Sequence, residues 1–166
     1  MKFYIFASGS KGNATLLVDK NVHILIDLGI SKRQLEDHLS KLNLSLDDLD
    51  FILLTHEHAD HTKGLESIHN TMIYGGKNSY MCPNYHEINP YIPFKCKHLT
   101  ILPVEVSHDA YSPLGFIFKN EKEKLKGDKK IPTGELLRRT LRYVKPELRA
   151  FILSAVMIIV NIALDT

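Results

Sequence analysis

Three histidines and an aspartate fall within positions 56–61, in the stretch Leu53–His61 that reads LLTHEHADH. His56 and His58 are two apart, so in an extended or looped backbone their rings point the same way and can meet on one cation. Asp60 and His61 lie beyond the next turn, placed to serve a neighbouring ion. Imidazole with carboxylate suits zinc, and also manganese or iron. The spacing is not the helical zinc-protease motif HExxH, because position 60 is Asp where that motif needs its second His. Chance would produce HxHxDH in about one or two of every thousand shuffles of this composition, so polar loop histidines without a ligand role account for it poorly.

The chemistry such a loop supports is hydrolysis. A catalytic zinc keeps three protein ligands and an open position for water. The ion brings the pKa of that water from about 15.7 toward 7, which makes hydroxide available at neutral pH. Where two ions lie about 3.5–4 Å apart, the pair neutralises the charge that builds on an attacked phosphorus.

Something must hold these side chains. Asp50–Thr55, DFILLT, reads as a buried strand by its apolar continuity, and it delivers the loop. Upstream, Lys2–Ala7, Ala14–Asp19 and His23–Asp27 form a meander of short strands with no room for crossover helices. Ser31 with Gln34 three residues on is a capping-box signature for a helix through SKRQLEDHLSKL, with Leu35 and Leu39 on one face. After the loop the pattern predicts a short helix around Thr62–His69 and a strand at Met72–Tyr74. Residues 75–98 scatter Gly, Pro, Asn and Tyr without a period and read as loop with one helical turn. Leu99–Ser107 and Leu114–Lys119 return to the strand pattern.

The chain of 166 residues carries 44% hydrophobic and 24% charged residues, ordinary for a globular protein. Its net charge of +2 is uneven. Residues 1–120 hold 11 Lys/Arg against 13 Asp/Glu, and residues 121–166 hold 10 against 6. The organisation read from this is a domain over 1–120, a charged linker over 121–133, and a tail over 134–166. Cys82 and Cys96 are too few for a disulfide scaffold, no secretory signal opens the chain, and a reducing, cytoplasmic compartment is the default. The tail combines a basic amphipathic helix with an uncharged run, Ala150–Leu164. That suits an anionic membrane surface through 134–164. Yet 15 residues fall short of the ~20 needed to span a bilayer, and a helix packed over an exposed sheet and a disordered segment are the competing readings.

ASGSKGNATLLV near the start, HILIDLGI after it, HxHxDH behind a strand and VSHDAYSPLGF further on resemble, in this order, the metallo-β-lactamase fold. More narrowly they are similar to its WalJ/YycJ branch of bacterial DNA exonucleases, over about Phe3–Phe118. The resemblance implies an α/β (α+β) αββα sandwich, present here as its N-terminal half, followed by a C-terminal helical tail. It implies that His56, His58 and His108 hold a first metal, with Asp60 and His61 as a partial second site. Asp27 would orient those ligands from beneath. Asp60, by orienting metal and water, and His108 are the implied catalytic residues. The implied cofactor is Zn2+, one or two ions, with Mn2+ or Fe2+ as alternatives, and the implied substrate is a phosphodiester in nucleic acid. The sequence departs from the pattern after Phe118, where the family continues with a bridging Asp and a later His. One ion per chain is therefore expected, and the inner face of the first sheet is expected to lack a covering layer. The tail resembles the start of an ABC-type exporter transmembrane domain. The alternative function is a catalytically inactive metal-binding fragment fused to a membrane-transporter segment.

Overall fold

Alternating apolar residues near the start of the chain build an antiparallel meander in the computed structural model, which describes residues 1–120. The readings for 121–133 and 134–166, linker, basic helix, membrane contact and exporter likeness, lie outside the described residues. Among the described residues no helix is long and apolar enough to cross a membrane. Strand β1 (Lys2–Ala7) pairs with β2 (Ala14–Asp19), and β2 with β3 (Val22–Ile26). Lys20 turns the β2–β3 hairpin in the left-handed region at φ 56°. β3 ends one residue before the predicted Asp27 because Asp27 itself leaves extended geometry, at φ 60°. Asp tolerates that region better than most residues with a side chain.

Helix α1 (Lys32–Ser40) begins on the predicted capping box. Ser31 Oγ accepts the Gln34 N–H at 3.3 Å, and Gln34 Oε1 accepts the Ser31 N–H at 3.0 Å. The chain then returns as β4 (Phe51–Leu53), β5 (Ile73–Gly75) and β6 (Tyr85–Glu87), all parallel to β3. These complete a six-stranded sheet in the order β1-β2-β3-β4-β5-β6. A second, antiparallel sheet holds β7 (Phe94–Cys96), β8 (Leu99–Glu105) and β9 (Leu114–Asn120).

Three expectations are corrected. Residues 75–98 are not loop with a helical turn, since they contain β6 and β7. The helix expected over Thr62–His69 is instead the short α2 (Ala59–Thr62) followed by a 3-10 turn at Leu65–Ser67. Its continuation is blocked because Asp60 O already accepts Asn13 N–H at 2.7 Å, while Gly64 N–H donates to Leu28 O at 2.8 Å. The third concerns the face of the first sheet that was expected to lack cover. Leu17, Ile24, Phe51 and Leu53 on that face pack against Cys96, Leu99 and Ile101 of the second sheet, with Phe116 and Phe118 at the margin. The opposite face presents Leu16, Leu25, Ile52 and Ile73 to Leu35 and Leu39 of α1. Layers therefore run helix, sheet, sheet. Burying each of these Leu, Ile and Phe side chains contributes about 1.5–3 kcal/mol, so both interfaces are needed.

Asp19 stitches the two sheets. One carboxylate oxygen accepts His98 Nε2–H at 2.8 Å and Asn120 Nδ2–H at 2.9 Å, and the other meets the N-terminal ammonium at 3.0 Å. The hydrogen bond from His98 is the main cause holding its pKa below the usual value, against the opposing pull of burial. A carboxyl lowered in the folded state stabilises above its unfolded pKa of ~3.9, and that stabilisation drains away as pH falls toward the folded value. Asp19→Asn is expected to be about 1–2 kcal/mol less stable at neutral pH. It should also lose less stability than the parent between about pH 5 and pH 2 in urea unfolding, and equal pH slopes would refute this role for Asp19.

Candidate metal centre

The parallel strands β3, β4 and β5 end side by side, and the candidate ligands leave from those carboxyl ends, the usual place for a site in such a sheet. Beyond β4, Thr55–Glu57 continues without regular structure and His58 opens α2 as its N-cap. His108 comes from the other layer, in the β8–β9 loop. Two backbone donors bind that loop region to the metal-rich segment. Leu114 N–H donates to Thr55 O at 2.8 Å, and Tyr111 N–H donates to Glu57 Oε1 at 3.0 Å.

Three imidazoles, His56, His58 and His108, each offer a nitrogen, and these atoms lie within 4.8 Å of one another. Ring centroids are 4.6 Å apart for His56–His58, 4.5 Å for His56–His108 and 5.1 Å for His58–His108. Nitrogens sharing a tetrahedral ion at about 2.0–2.1 Å stand about 3.4 Å apart, so the rings need to close by at most ~1.4 Å. His56 is buried, with 7% of its surface exposed, while His108 is open to solvent. Burial pushes the His56 pKa down, and the neighbouring His61, His108 and His58 push it the same way. A neutral ring with a free lone pair is the form a cation requires. A groove of about 480 Å³ opens over the rings, walled by Val106, Ser107, Pro113 and Leu114. The donor set fits a divalent ion of borderline softness with one face left for water and substrate.

Asp60 and His61 are brought together beside this trio. His61 Nε2 lies 3.4 Å from Asp60 Oδ2, and the His61 ring centroid lies 4.0 Å from that of His56. On its other side His61 Nδ1 meets Asp27 Oδ2 at 2.8 Å. Asp27 also accepts the Thr55 N–H at 2.8 Å and the Thr55 hydroxyl, so one buried carboxylate fixes both the start of the loop and the ring that ends it. Burial pulls the His61 pKa down, but the hydrogen bond and charge of Asp27, joined by Asp60, outweigh it and the net shift is upward.

Sequence reasoning passed over three residues that shape the centre. Asn13 Oδ1 accepts Gly9 N–H at 3.0 Å, which orients its amide so that Nδ2 points to Asp60 Oδ2 at 2.9 Å and His61 Nε2 at 3.1 Å. With Nδ1–H donated to Asp27, the neutral His61 ring presents its Nε2 lone pair to that amide. Thr55 hydroxyl lies between Asp27 and the His56 Nδ1, 2.9 Å away. Glu57 anchors the loop that carries His108, and its second oxygen is buried without a hydrogen-bond partner among the described residues. The only local sign of Asn13 was its place at the end of a glycine-rich turn, SGSKGN.

Residues 5–89 match the family described as Anti-Pycsar protein Apyc1. Exodeoxyribonuclease YycJ of Bacillus anthracis is 30% identical over 140 residues, covering 75% of this chain and 52% of that protein. Exodeoxyribonuclease WalJ of Streptococcus pneumoniae (strain R6) is 42% identical over 64 residues, covering 39% of this chain and 24% of that protein. The chain thus spans about half, or less, of the length of the curated relatives it matches. Among solved structures, MEM-A1, a subclass B3 metallo-β-lactamase from a soil metagenome library, superposes with a TM-score of 0.59 at 19% identity. That superposition covers 71% of this chain and 55% of MEM-A1. Rm3 metallo-β-lactamase gives 0.59 at 17% identity, covering 77% and 55%. The fold is that of the metallo-β-lactamases.

Proposed function

This chain belongs to the Anti-Pycsar protein Apyc1 family and has the metallo-β-lactamase fold, and on that premise we propose that it is a metal-dependent hydrolase of phosphodiesters in nucleic acid. The observation that carries the reading is the convergence of His56, His58 and His108 on one point at the floor of an open groove. The phosphodiester comes from the relatives named exodeoxyribonuclease. Zinc is the preferred ion for a three-imidazole set, with manganese and iron as the other candidates. When bound, such an ion supplies Lewis acidity toward a phosphoryl oxygen and lowers the pKa of a water.

The chain's own residues do the rest. His56, nearly buried and held by Thr55, sets the rigid corner of the site, while His58 and His108 approach from the groove side. Asp60 lies at the edge of the same groove and can hold a water by one oxygen while the other takes the Asn13 amide. Asp27 fixes the tautomer and angle of His61. Val106, Pro113 and Leu114 give the groove an apolar wall that keeps bulk water from one side of the reacting group. Both cysteines are free thiols, in keeping with a reducing compartment.

The test uses the full chain against bis-(p-nitrophenyl) phosphate and a labelled DNA strand. Hydrolysis that disappears with a chelator and returns with zinc or manganese is the expected result. Tight binding of metal with no cleavage of either substrate would leave the catalytically inactive metal-binding fragment as the reading that stands.

A further inference from the structure

A second cavity, of about 290 Å³, is lined by Ser8, Gly9, Lys11, Gly12, Gln34 and Lys63, with Gly29 in its wall. Every polar side chain among these can donate a hydrogen bond, and no carboxylate among the described residues lines the cavity. The Gln34 carbonyl oxygen is taken by Ser31, which leaves the amide NH2 as its outward group. Lys11 comes from the β1–β2 loop and Lys63 from the end of α2, two exposed side chains brought together by the fold. Neither is paired with a carboxylate among the described residues. This is not one corner of a generally basic surface, because residues 1–120 hold fewer Lys/Arg than Asp/Glu. Two ammonium groups with no carboxylate partner among the described residues, set around a glycine-walled hollow, suit a multiply charged oxyanion.

The hollow is joined to the metal centre by backbone. Asn13, next to Gly12, donates its N–H to Asp60 O and its side-chain amide to Asp60 and His61. Gly29 N–H in turn donates to Asn13 O at 2.8 Å. A Cβ on Gly12 would lie 2.5 Å from Gly29 O, so backbone packs closely against backbone in this wall. Resting on the nucleic-acid reading above, we propose that the Lys11–Lys63 cavity is a phosphate subsite, holding the backbone phosphate adjacent to the one hydrolysed at the histidines. A strand laid across the groove carries a phosphate at every nucleotide, so gripping the neighbour would fix which linkage reaches the metal.

The experiment measures binding without turnover. The full, metal-loaded chain is titrated with a fluorescent phosphorothioate-linked oligothymidylate, which keeps the backbone charge and resists cleavage, at several salt concentrations. The double substitution Lys11→Gln, Lys63→Gln is expected to weaken binding about tenfold at low salt and to flatten the log–log salt slope by about 0.7, the value for one phosphate contact on a single strand. The control pair Lys20→Gln, Lys41→Gln makes the same charge change elsewhere on the surface and should shift affinity less than about twofold. Lys11→Arg, Lys63→Arg should restore the parent slope. If the first pair behaves like the control pair, or if arginine fails to rescue, the subsite is overturned whatever the enzyme cleaves. Absence of hydrolysis in the parent chain would instead sink the proposed reaction and leave this binding result standing.

Discussion

Replacing His58 by alanine is expected to empty the metal centre and abolish hydrolysis. The trio is the smallest set that holds a catalytic ion with one position open, and removing one imidazole leaves two. His58 is the best member to remove because it sits at the N-cap of α2 without a capping hydrogen bond from its side chain. Its loss leaves the core intact, and circular dichroism should be unchanged. The scale is set by comparison with Asp27, which bonds His61 directly and reaches His56 only through the Thr55 hydroxyl. Losing such a supporting partner typically weakens metal binding about 10–100-fold. Asp27→Ala should fall in that range, and His58→Ala should exceed it. After dialysis against metal-free buffer, the parent is expected to retain about one ion per chain and His58→Ala close to none. A His58→Ala protein that kept its full complement of metal would end the three-histidine assignment.

Gly29→Ala should be among the most destabilising single substitutions in the described domain. A methyl on Gly29 would lie 1.6 Å from Asp60 O, 2.4 Å from Asp60 C and 2.6 Å from Asn13 N. All three are backbone atoms, so no rotamer change relieves the clash. Here the β1–β2 loop, the segment after β3 and the metal loop meet, and their hydrogen bonds run through these same atoms. Overpacking a core usually costs about 1–3 kcal/mol, and two lost backbone hydrogen bonds add about 1 kcal/mol each. The expected penalty is therefore at or above about 3 kcal/mol, a fall of ~10 °C or more in Tm. Gly115→Ala is the control, since its Cβ would meet the side chains of Val106 and Val104 at 3.1 and 3.4 Å, which can shift. Equal Tm values for the two variants would show that the three segments are not packed as described.

The parts of the fold legible in the sequence were those written in local pattern. Alternation and a polar turn gave β1 to β3, and Ser31 with Gln34 marked the helix that both residues cap. The histidine-rich loop stood out because its residue types are scarce and its spacing is tight. Strands β6 and β7 were illegible because each is three residues long and lies among Pro, Asn and Gly, so that pairing with neighbours defines them. The early stop of α2 was hidden for a related reason. Asp60 O and Gly64 N–H find partners in Asn13 and Leu28, more than thirty residues away in the chain. Asn13, Thr55 and Glu57 carry no scarce chemistry of their own and acquire a role only when loops distant in sequence come together. Cover for the first sheet is not written in local pattern, because the alternation in β8 and β9 marks them as strands without saying which surface their apolar side chains meet.

His56 and His58 hang from the first sheet and His108 from the second. Any ion the three share therefore acts as a rivet through both layers, closing a loop of about fifty residues. Filling the centre and holding the sandwich shut become a single equilibrium, so tightness at the cation is read out as resistance of the whole domain to unfolding.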